Sequence, residues 1–395
     1  MSTLKVNAIS DAAGANGNAI TLATDGTCTA KITNNLSNRN LIINGSAIIN
    51  QRGDSTGITG THGFYGPDRW KTCITNYGTW SITQATDGPD GFSKSYKLDC
   101  TTADASPAAS DVVYLEYEIE AQDLQCLSYG TSGAKDTVLS FWVKSNLTSS
   151  TWNFSLQQRD NSGKQIQAAY TTHGTTNTWK KITIPIPKDT AGVIDDNNAA
   201  GLLFTWYLGG GSDYTGTAIQ TSWASDGGDD NRLNGATNML GASTSNYIQF
   251  TGLQFEIDST GSGVATDFEH RSYADEFQKC LRYYFEVGNG TGTWMYLNPL
   301  GHDNNTIEIM PVFPVPMRAA PTVTATGTIN CRACANGNSG ATVTLGGSSF
   351  NAPGNTVVTG HTWWDAPSGT PFSGGYFGRI YGGTSTSSIN FDAEI

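Results

Sequence analysis

The sequence has little charge, few histidines and no long apolar run. Lys, Arg, Asp and Glu make up 14% of its 395 residues, against about 25% in an average soluble protein. The 34 acidic residues outnumber the 22 basic ones, for a net charge of -12. This balance argues against a nucleic-acid-binding protein, because phosphate binding needs a basic surface. No uncharged apolar stretch reaches about 18 residues, so we expect no membrane insertion.

Signatures of secretion, catalysis and metal binding are also missing. The first residues lack the charged and apolar regions of a signal peptide, so we expect assembly in a cytoplasm. The 5 His form no HExxH pattern, and there is no P-loop or G-x-S-x-G motif. The 7 Cys are odd in number and scattered, so we expect no disulfide framework.

We expect no cofactor, with a structural calcium ion as the alternative. The runs DGPDG from Asp87 and SDGGDDN from Ser225 offer clustered oxygen atoms of the kind that calcium binds, although neither matches an EF-hand loop. Asp-Gly clusters more often form turns.

Glycine and aromatic residues are abundant instead. The chain has 46 Gly, 10 Trp and 16 Tyr, together with many Thr, Ser and Asn. This composition is typical of an all-β protein with polar turns. A weakly charged surface rich in aromatic rings suits sugars, whose apolar faces stack on rings and whose hydroxyls need amide and hydroxyl partners.

The middle of the chain predicts a two-sheet, jelly-roll β-sandwich. Short β-prone segments follow one another with turn residues between them and no intervening helix. The clearest of these segments are residues 79–84, 96–100, 112–121, 137–144, 152–159, 180–185, 202–208 and 247–257.

Alternation along these strands predicts a polar, sugar-binding sheet face. Trp142 would be the ring on which a sugar stacks, with Gln157, Arg159 and Tyr207 as its hydrogen-bonding neighbours. The alternative is that a loop or a neighbouring subunit covers Trp142.

Residues 266–286 are predicted to contain a connecting helix, capped by Ser272. The polar side is expected to carry Asp275, Glu276, Lys279 and Arg282. The apolar stripe comprises Tyr273, Phe277, Cys280, Leu281 and Tyr284. A helix this short must bury its stripe, either against the flanking sheets or against copies of itself on a threefold axis.

After the helix, residues 287–395 predict a smaller β-sandwich. It holds a second aromatic patch formed by Trp363, Trp364 and Tyr376. Adjacent residues of a strand point to opposite faces, so at most one of the two tryptophans is expected in the core. This patch is a second candidate glycan-binding surface.

An enzyme is the rival class. Glu116, Glu118 and Glu120 alternate along one predicted strand, so neighbouring carboxylates would lie roughly 6.6 Å apart on one face, near glycosidase spacing. A row of alternating Glu is more often a solvated face, and we expect no enzymatic activity.

A family resemblance rests on many short motifs in order. They are STLKVNAISD, NLIINGSAIINQRG, YGPDRW, LEYEIEAQDLQCL, LSFWVKSN, WKKITIPIP, AAGLLFTWYLGGGSDY, TSWAS, YIQFTGLQFEID, FEHRSYADEFQKCLRYYFE and VPMRAAPTV. With these motifs the chain resembles tail-fibre-like proteins of marine tailed phages (cyanophage- and pelagiphage-like) and their prophage relatives. Those proteins carry a jelly roll like that of carbohydrate-binding modules.

The resemblance implies a virion protein, usually a homotrimer, that recognises a host surface glycan. Residues 1–40 would attach to the phage tail or other virion proteins, 41–265 would form the jelly roll, 266–286 the helix at the trimer axis, and 287–395 the receptor-binding tip. The alternatives are a capsid (head) fibre or decoration protein, a glycan depolymerase tailspike, and a purely structural tail component.

Overall fold

The structure, a computed structural model, describes residues 8–10, 18–22, 28–30, 37–160, 163–288, 294–295, 300–301, 306–309, 311–333, 342–345, 350–351, 362–365, 378–384 and 387–395. The first three strands form one antiparallel sheet in the order β1-β2-β3. They are β1 Ala8–Ser10, β2 Asn18–Leu22 and β3 Cys28–Ala30. The segment predicted to attach to the virion therefore contains a small sheet of its own.

The main body is a sandwich of two antiparallel sheets, which confirms the all-β prediction. Its strands are β4 Ser55–Ile58, β5 His62–Phe64, β6 Lys71–Thr75, β7 Thr79–Ala85, β8 Ser95–Thr102, β9 Val112–Glu120, β10 Thr137–Ser145, β11 Thr151–Gln158, β12 Lys164–Thr171, β13 Lys180–Ile186, β14 Ala200–Gly210, β15 Ala224–Ser225 and β16 Tyr247–Ile257. The six-stranded sheet has the order β13-β10-β16-β8-β7-β4, and the seven-stranded sheet has the order β15-β12-β11-β14-β9-β6-β5. Short 3₁₀ helices occur at Ala121–Leu127, Ser212–Tyr214, Asp229–Asn231 and Leu240–Ala242.

Alternate residues of each strand fill the space between the sheets. On β14, Phe204 and Trp206 are fully buried, and Phe141 of β10 meets Trp206 edge-on with ring centroids 5.8 Å apart. Each of these large inward side chains buries a sizeable apolar area, which stabilises the sandwich.

The segment before β4 completes the sandwich beside β16. The Leu41 amide donates to the Phe255 carbonyl at 2.9 Å, and the Leu253 amide donates to the Gly45 carbonyl at 2.9 Å. A Cβ at Gly45 would lie 2.1 Å from the Leu253 carbonyl oxygen, so this approach requires glycine. Ile42 lies fully buried in the core.

One α-helix, α1, spans Tyr273–Leu281 in the described part of the chain. Ser272 caps it as predicted, since its Oγ accepts the Asp275 amide at 3.2 Å. The helix is shorter than the predicted region 266–286, because the chain resumes as a strand at Tyr284. No helix among the described residues is long and apolar enough to cross a membrane.

The predicted polar side of α1 is wrong at Glu276. This residue is 5% exposed. Its carboxylate accepts the amide of Asn44, and it lies 3.4 Å from the Arg271 guanidinium. A buried carboxylate needs such partners. Both lie outside the helix, so helical periodicity could not reveal them.

Three members of the predicted trimer stripe are buried within the chain itself. Cys280, Leu281 and Tyr284 all lie in its own interior, so they offer no surface to another copy. Tyr273 is 63% exposed and stacks on Phe277 with ring centroids 6.0 Å apart. The exposed part of the stripe is therefore limited to the first turns of α1.

The remaining strands follow the helix. They are β17 Tyr284–Gly288, β18 Trp294–Met295, β19 Leu300–Gly301, β20 Thr306–Ile309, β21 Thr322–Thr326, β22 Ile329–Ala333, β23 Thr342–Leu345, β24 Phe350–Asn351, β25 Thr362–Asp365, β26 Gly378–Gly382 and β27 Ser388–Asp392. They form the sheets β17-β27-β21, β18-β26-β22-β23 and β19-β20-β25-β24. A second apolar core, which includes Phe313, Ile380 and Phe391, lies among them.

A buried ion pair joins this second β region to the sandwich. Arg69, 2% exposed, binds the carboxylate of Glu394 and lies 3.4 Å from the centroid of the Tyr283 ring. Arg52 pairs with Glu394 at 3.2 Å and with Asp392 at 3.1 Å. Burial opposes the charge on Arg69, but Glu394 outweighs it, so the pKa of Arg69 is raised.

Candidate functional site

The outer face of the seven-stranded sheet carries a cleft of about 290 Å³. Antiparallel register places Tyr114 of β9 opposite Tyr207 of β14, and Glu116 opposite Thr205. Residues two apart on a strand share a face. Tyr114 and Glu116 therefore line the cleft, while Leu115 between them is buried in the core.

The chain between β14 and β16 forms one wall of this cleft. The Gln167 side chain donates to Asn231 Oδ1 at 3.1 Å, and the Asn153 side chain donates to the Asn234 carbonyl at 2.9 Å. These bonds attach the wall to β12 and β11. Tyr214, half-buried in the same wall, also lines the cleft.

Arg232 connects this wall to the floor of the cleft, which is the outer face of β9 and β14. Its guanidinium lies 2.9 Å from Asp226 Oδ2 and 3.1 Å from Asp229 Oδ1. It also donates to the hydroxyl of Tyr207, on the floor of the cleft. Burial raises the pKa of Tyr207 far above its ordinary value, so the phenol stays protonated at neutral pH.

A chain of hydrogen bonds continues across the cleft. Gln157 Nε2 donates to Asp226 Oδ2 at 2.8 Å, and Arg159 donates to Gln157 Oε1 at 3.1 Å. The Arg159 side chain is 47% exposed and lies 3.9 Å from Glu118. The orientation of the Gln157 amide is thus fixed before any ligand arrives.

The two carboxylates of β9 sit in different electrostatic surroundings. Glu116 pairs with Lys71 at 3.1 Å. Burial lowers the pKa of Lys71, but Glu116 outweighs that effect, so the pKa is raised and Lys71 stays charged. Burial raises the pKa of Glu118, an effect that Lys71 and Arg159 only partly offset.

Two tyrosines give the floor its aromatic character. The rings of Tyr114 and Tyr207 have centroids 5.4 Å apart and are inclined at 41°. Tyr207 is buried and Tyr114 is half-buried. Tyr114 is therefore the floor ring that a ligand can contact.

Glu120 does not take part in this site. It is fully buried and accepts hydrogen bonds from Arg282 at 2.7 and 2.6 Å and from the Tyr283 hydroxyl at 2.6 Å. It binds the end of α1 to the sandwich, so the three carboxylates that alternate in sequence do not act as one group.

Comparison with known proteins gives structural matches only. No protein-family model and no curated protein matches the chain. The enzymatically active domain of bacteriophage CBA120 tailspike protein 4 matches with 12% identity and a TM-score of 0.29, over 55% of this chain and 21% of that one. The match thus spans about a fifth of the length of that domain.

Two carbohydrate-binding modules are similar at the same level. One is a CBM4 module, with 12% identity and a TM-score of 0.28 over 54% of this chain and 98% of that one. The other is the family 11 module of a Clostridium thermocellum cellulosomal cellulase, with 14% identity and a TM-score of 0.27 over 52% and 95%. These scores assign the chain to no family, so its function must be argued from the cleft.

The structure brings together three of the four predicted jelly-roll site residues. Gln157, Arg159 and Tyr207 all line the cleft. Trp142 lies on the other sheet, opposite Lys181 and Thr251. Placing it in the same site was wrong, because alternation gives the face of a strand but not the sheet to which the strand belongs.

The chain itself covers much of the sheet face around Trp142. The Glu269 amide donates to Gln254 Oε1 at 2.8 Å, which ties residues 258–271 across this face. Trp142 is half-buried, and a Cβ at Gly252 would lie 2.9 Å from its ring and 2.8 Å from that of Phe92. The alternative of a covering loop therefore describes Trp142 better than an open stacking platform.

The distal aromatic patch is only partly described. Trp363 and Trp364 lie in β25, where Trp363 is in register with Glu308 and Trp364 with Ile307. Their side chains and the whole of Tyr376 lie outside the described part of the chain. The patch stays a prediction.

Sequence reasoning missed Tyr114, Tyr214 and Arg232. Tyr114 precedes the alternating glutamates on the same face of β9, and this spacing could have revealed it. Arg232 follows the acidic run that we read as a candidate calcium loop. Its three-residue offset from Asp229 was the available signal.

In both candidate calcium loops, aspartate carboxylates form ion pairs with Lys or Arg side chains of the same chain. Asp87 pairs with Lys144, and Asp226 and Asp229 pair with Arg232. Within the described ranges, no group of three or more His, Cys, Asp or Glu could hold a metal ion.

Proposed function

We propose that this chain is a structural protein of a phage virion, a tail fibre that recognises a host surface glycan through the cleft of its seven-stranded sheet. The motifs that resemble marine-phage tail fibres support the virion role. Glycan recognition rests on one observation: the cleft combines tyrosine rings with carboxylates, an amide and a guanidinium already fixed in place.

A sugar ring would lie with its apolar face on Tyr114, as aromatic side chains favour. Its hydroxyls would donate to Glu116 and accept from Arg159, both of which line the cleft. Hydrogen bonds to charged groups are roughly twice as strong as neutral ones. Because Gln157 is already held by Asp226 and Arg159, its binding to a ligand would cost little further side-chain entropy.

The direct test is a glycan array probed with the isolated protein. We expect reproducible binding to a defined set of glycans, which is lost when Tyr114 and Arg159 are both changed to Ala. If no glycan binds reproducibly, recognition fails as a proposal and a purely structural tail component is the better description.

A glycan-degrading tailspike is the second candidate. Glu118 has a raised pKa, as a general acid requires. Glu116 lies on the same face roughly 6.6 Å along the strand, near the separation of about 6.5–9.5 Å in inverting glycosidases. We propose binding without cleavage, because Glu116 is paired with Lys71 at 3.1 Å and would have to leave that ion pair to activate a water molecule. New reducing ends after incubation with a bound polysaccharide would establish the enzyme instead.

The position in the virion is a separate part of the proposal. The small β1-β2-β3 sheet would attach the chain, as a homotrimer, to the tail. A head fibre or decoration protein would have the same modules on the capsid. Cryo-electron microscopy of intact virions distinguishes the two by where the density for the sandwich lies.

A further inference from the structure

The charged side chains around the cleft form ion pairs with one another. They are Glu116 with Lys71 at 3.1 Å, Glu118 with Arg159 at 3.9 Å, and Asp226 and Asp229 with Arg232 at 2.9 and 3.1 Å. Each of the three cations has a carboxylate partner, and Arg232 has two. The set carries one more negative than positive charge.

An acidic sugar would meet this excess of negative charge. Its carboxylate or sulfate would have to displace Glu118 from Arg159, the longest of the four pairs, or approach Glu116 directly. Asp229, whose side chain is 68% exposed, places one of these carboxylates in the lining. Like charges brought together in an interface disfavour the complex.

An uncharged sugar avoids this repulsion. The carboxylates of Glu116 and Asp229 line the cleft. An ionised carboxylate only accepts hydrogen bonds, so these groups require donors from the ligand. Free hydroxyl groups supply those donors without bringing a further charge into the cleft. The cleft volume of about 290 Å³ lies at the lower end of ligand sites, so a short stretch of glycan fills it.

We infer that the cleft selects uncharged glycans with free hydroxyls and discriminates against those bearing uronate or sulfate groups. This inference rests on the proposed function and names the ligand class of the same site.

The test is an array on which each neutral glycan is paired with its sulfated or uronate counterpart. At low salt we expect neutral members to bind at least about tenfold more tightly than their acidic partners. This ratio should shrink as salt shortens the Debye length to about 8 Å. Binding confined to acidic glycans overturns the inference but leaves glycan recognition standing. Absence of binding in every class counts against glycan recognition itself, and this inference falls with it.

Charge variants test whether the cleft sets the selectivity. Asp229→Lys should reduce the preference for neutral over sulfated partners at least about fivefold, and Asp229→Asn should do so less. The control is Asp99→Lys, which changes net charge equally on the six-stranded sheet. Equal ratios in Asp229→Lys and the control overturn the inference, provided that both variants melt cooperatively near the wild-type temperature.

Discussion

Tyr114 and Tyr207 show how burial divides roles between two adjacent rings. Tyr207 is held below by Arg232 and supports the cleft, whereas half-buried Tyr114 presents its ring to a ligand. The distinction depends on the wall of residues 211–237. No local pattern in β14 indicates that the segment that follows it folds back over Tyr207.

Replacing Tyr114 with Ala should weaken glycan binding by up to about tenfold, because an aromatic contact contributes about 0.5–1.5 kcal/mol beyond its buried area. Isothermal titration with a glycan identified on the array measures the change. Tyr247→Ala, a half-buried tyrosine on the six-stranded sheet, is the control. Equal losses in both variants would show that Tyr114 has no specific role.

Glu118 gives a prediction about pH. Its pKa is raised in the folded protein, chiefly by burial, so folding disfavours the ionised form and costs stability at neutral pH. That cost disappears as the pH falls through the raised pKa towards the ordinary Glu value of about 4.3. Glu118→Gln should therefore be more stable than wild type at pH 7 and lose this advantage under acid conditions. Urea unfolding across pH measures it, and a constant difference would contradict the assignment.

At the scale of elements, strand positions could be predicted well. All eight predicted strands are present, and β16 matches its predicted limits of 247–257. Five strands of the sandwich were not predicted, namely β4, β5, β6, β12 and β15. Each lies at or next to a sheet edge and carries few large apolar residues. Pairing between strands could not be predicted, and this is why Trp142 was assigned to the wrong sheet.

The helix illustrates the limit of periodicity. Ser272 and the first turn were predictable from capping rules. Glu276 was not, because its partner Asn44 comes from a distant part of the chain and its partner Arg271 precedes the helix. The apolar stripe was read as an interface between copies, yet most of it is covered by the chain's own sandwich.

If the chain is a trimer, the exposed turn of α1 is where helices from different copies meet. Tyr273→Asp should then shift the assembly towards monomers in multi-angle light scattering, without lowering the melting temperature of the sandwich. Val264→Asp changes a residue of similar exposure, 68% against 63%, outside the helix and serves as control. Unchanged mass in Tyr273→Asp would remove α1 from the interface.

At the scale of the whole molecule, the ion pair between Arg69 and Glu394 connects two cores. Glu394→Gln should lower the free energy of unfolding by about 3–5 kcal/mol, because it leaves a buried guanidinium without its counterion. Chemical denaturation measures the loss. Asp392→Asn is the control, since its 39% exposed side chain makes a weaker surface pair with Arg52. Equal losses in the two variants would contradict a special role for Glu394.

The two members of this pair are synthesised at widely separated times. Arg69 leaves the ribosome 325 residues before Glu394. At a translation rate of about 5–20 residues per second, roughly 15–65 s pass between the synthesis of Arg69 and that of Glu394. A nascent chain that stops short of Glu394 contains every strand of the sandwich but lacks the carboxylate that Arg69 binds. Such fragments should remain open to proteases and chaperones, so that only chains extending through Glu394 acquire the stability needed for assembly.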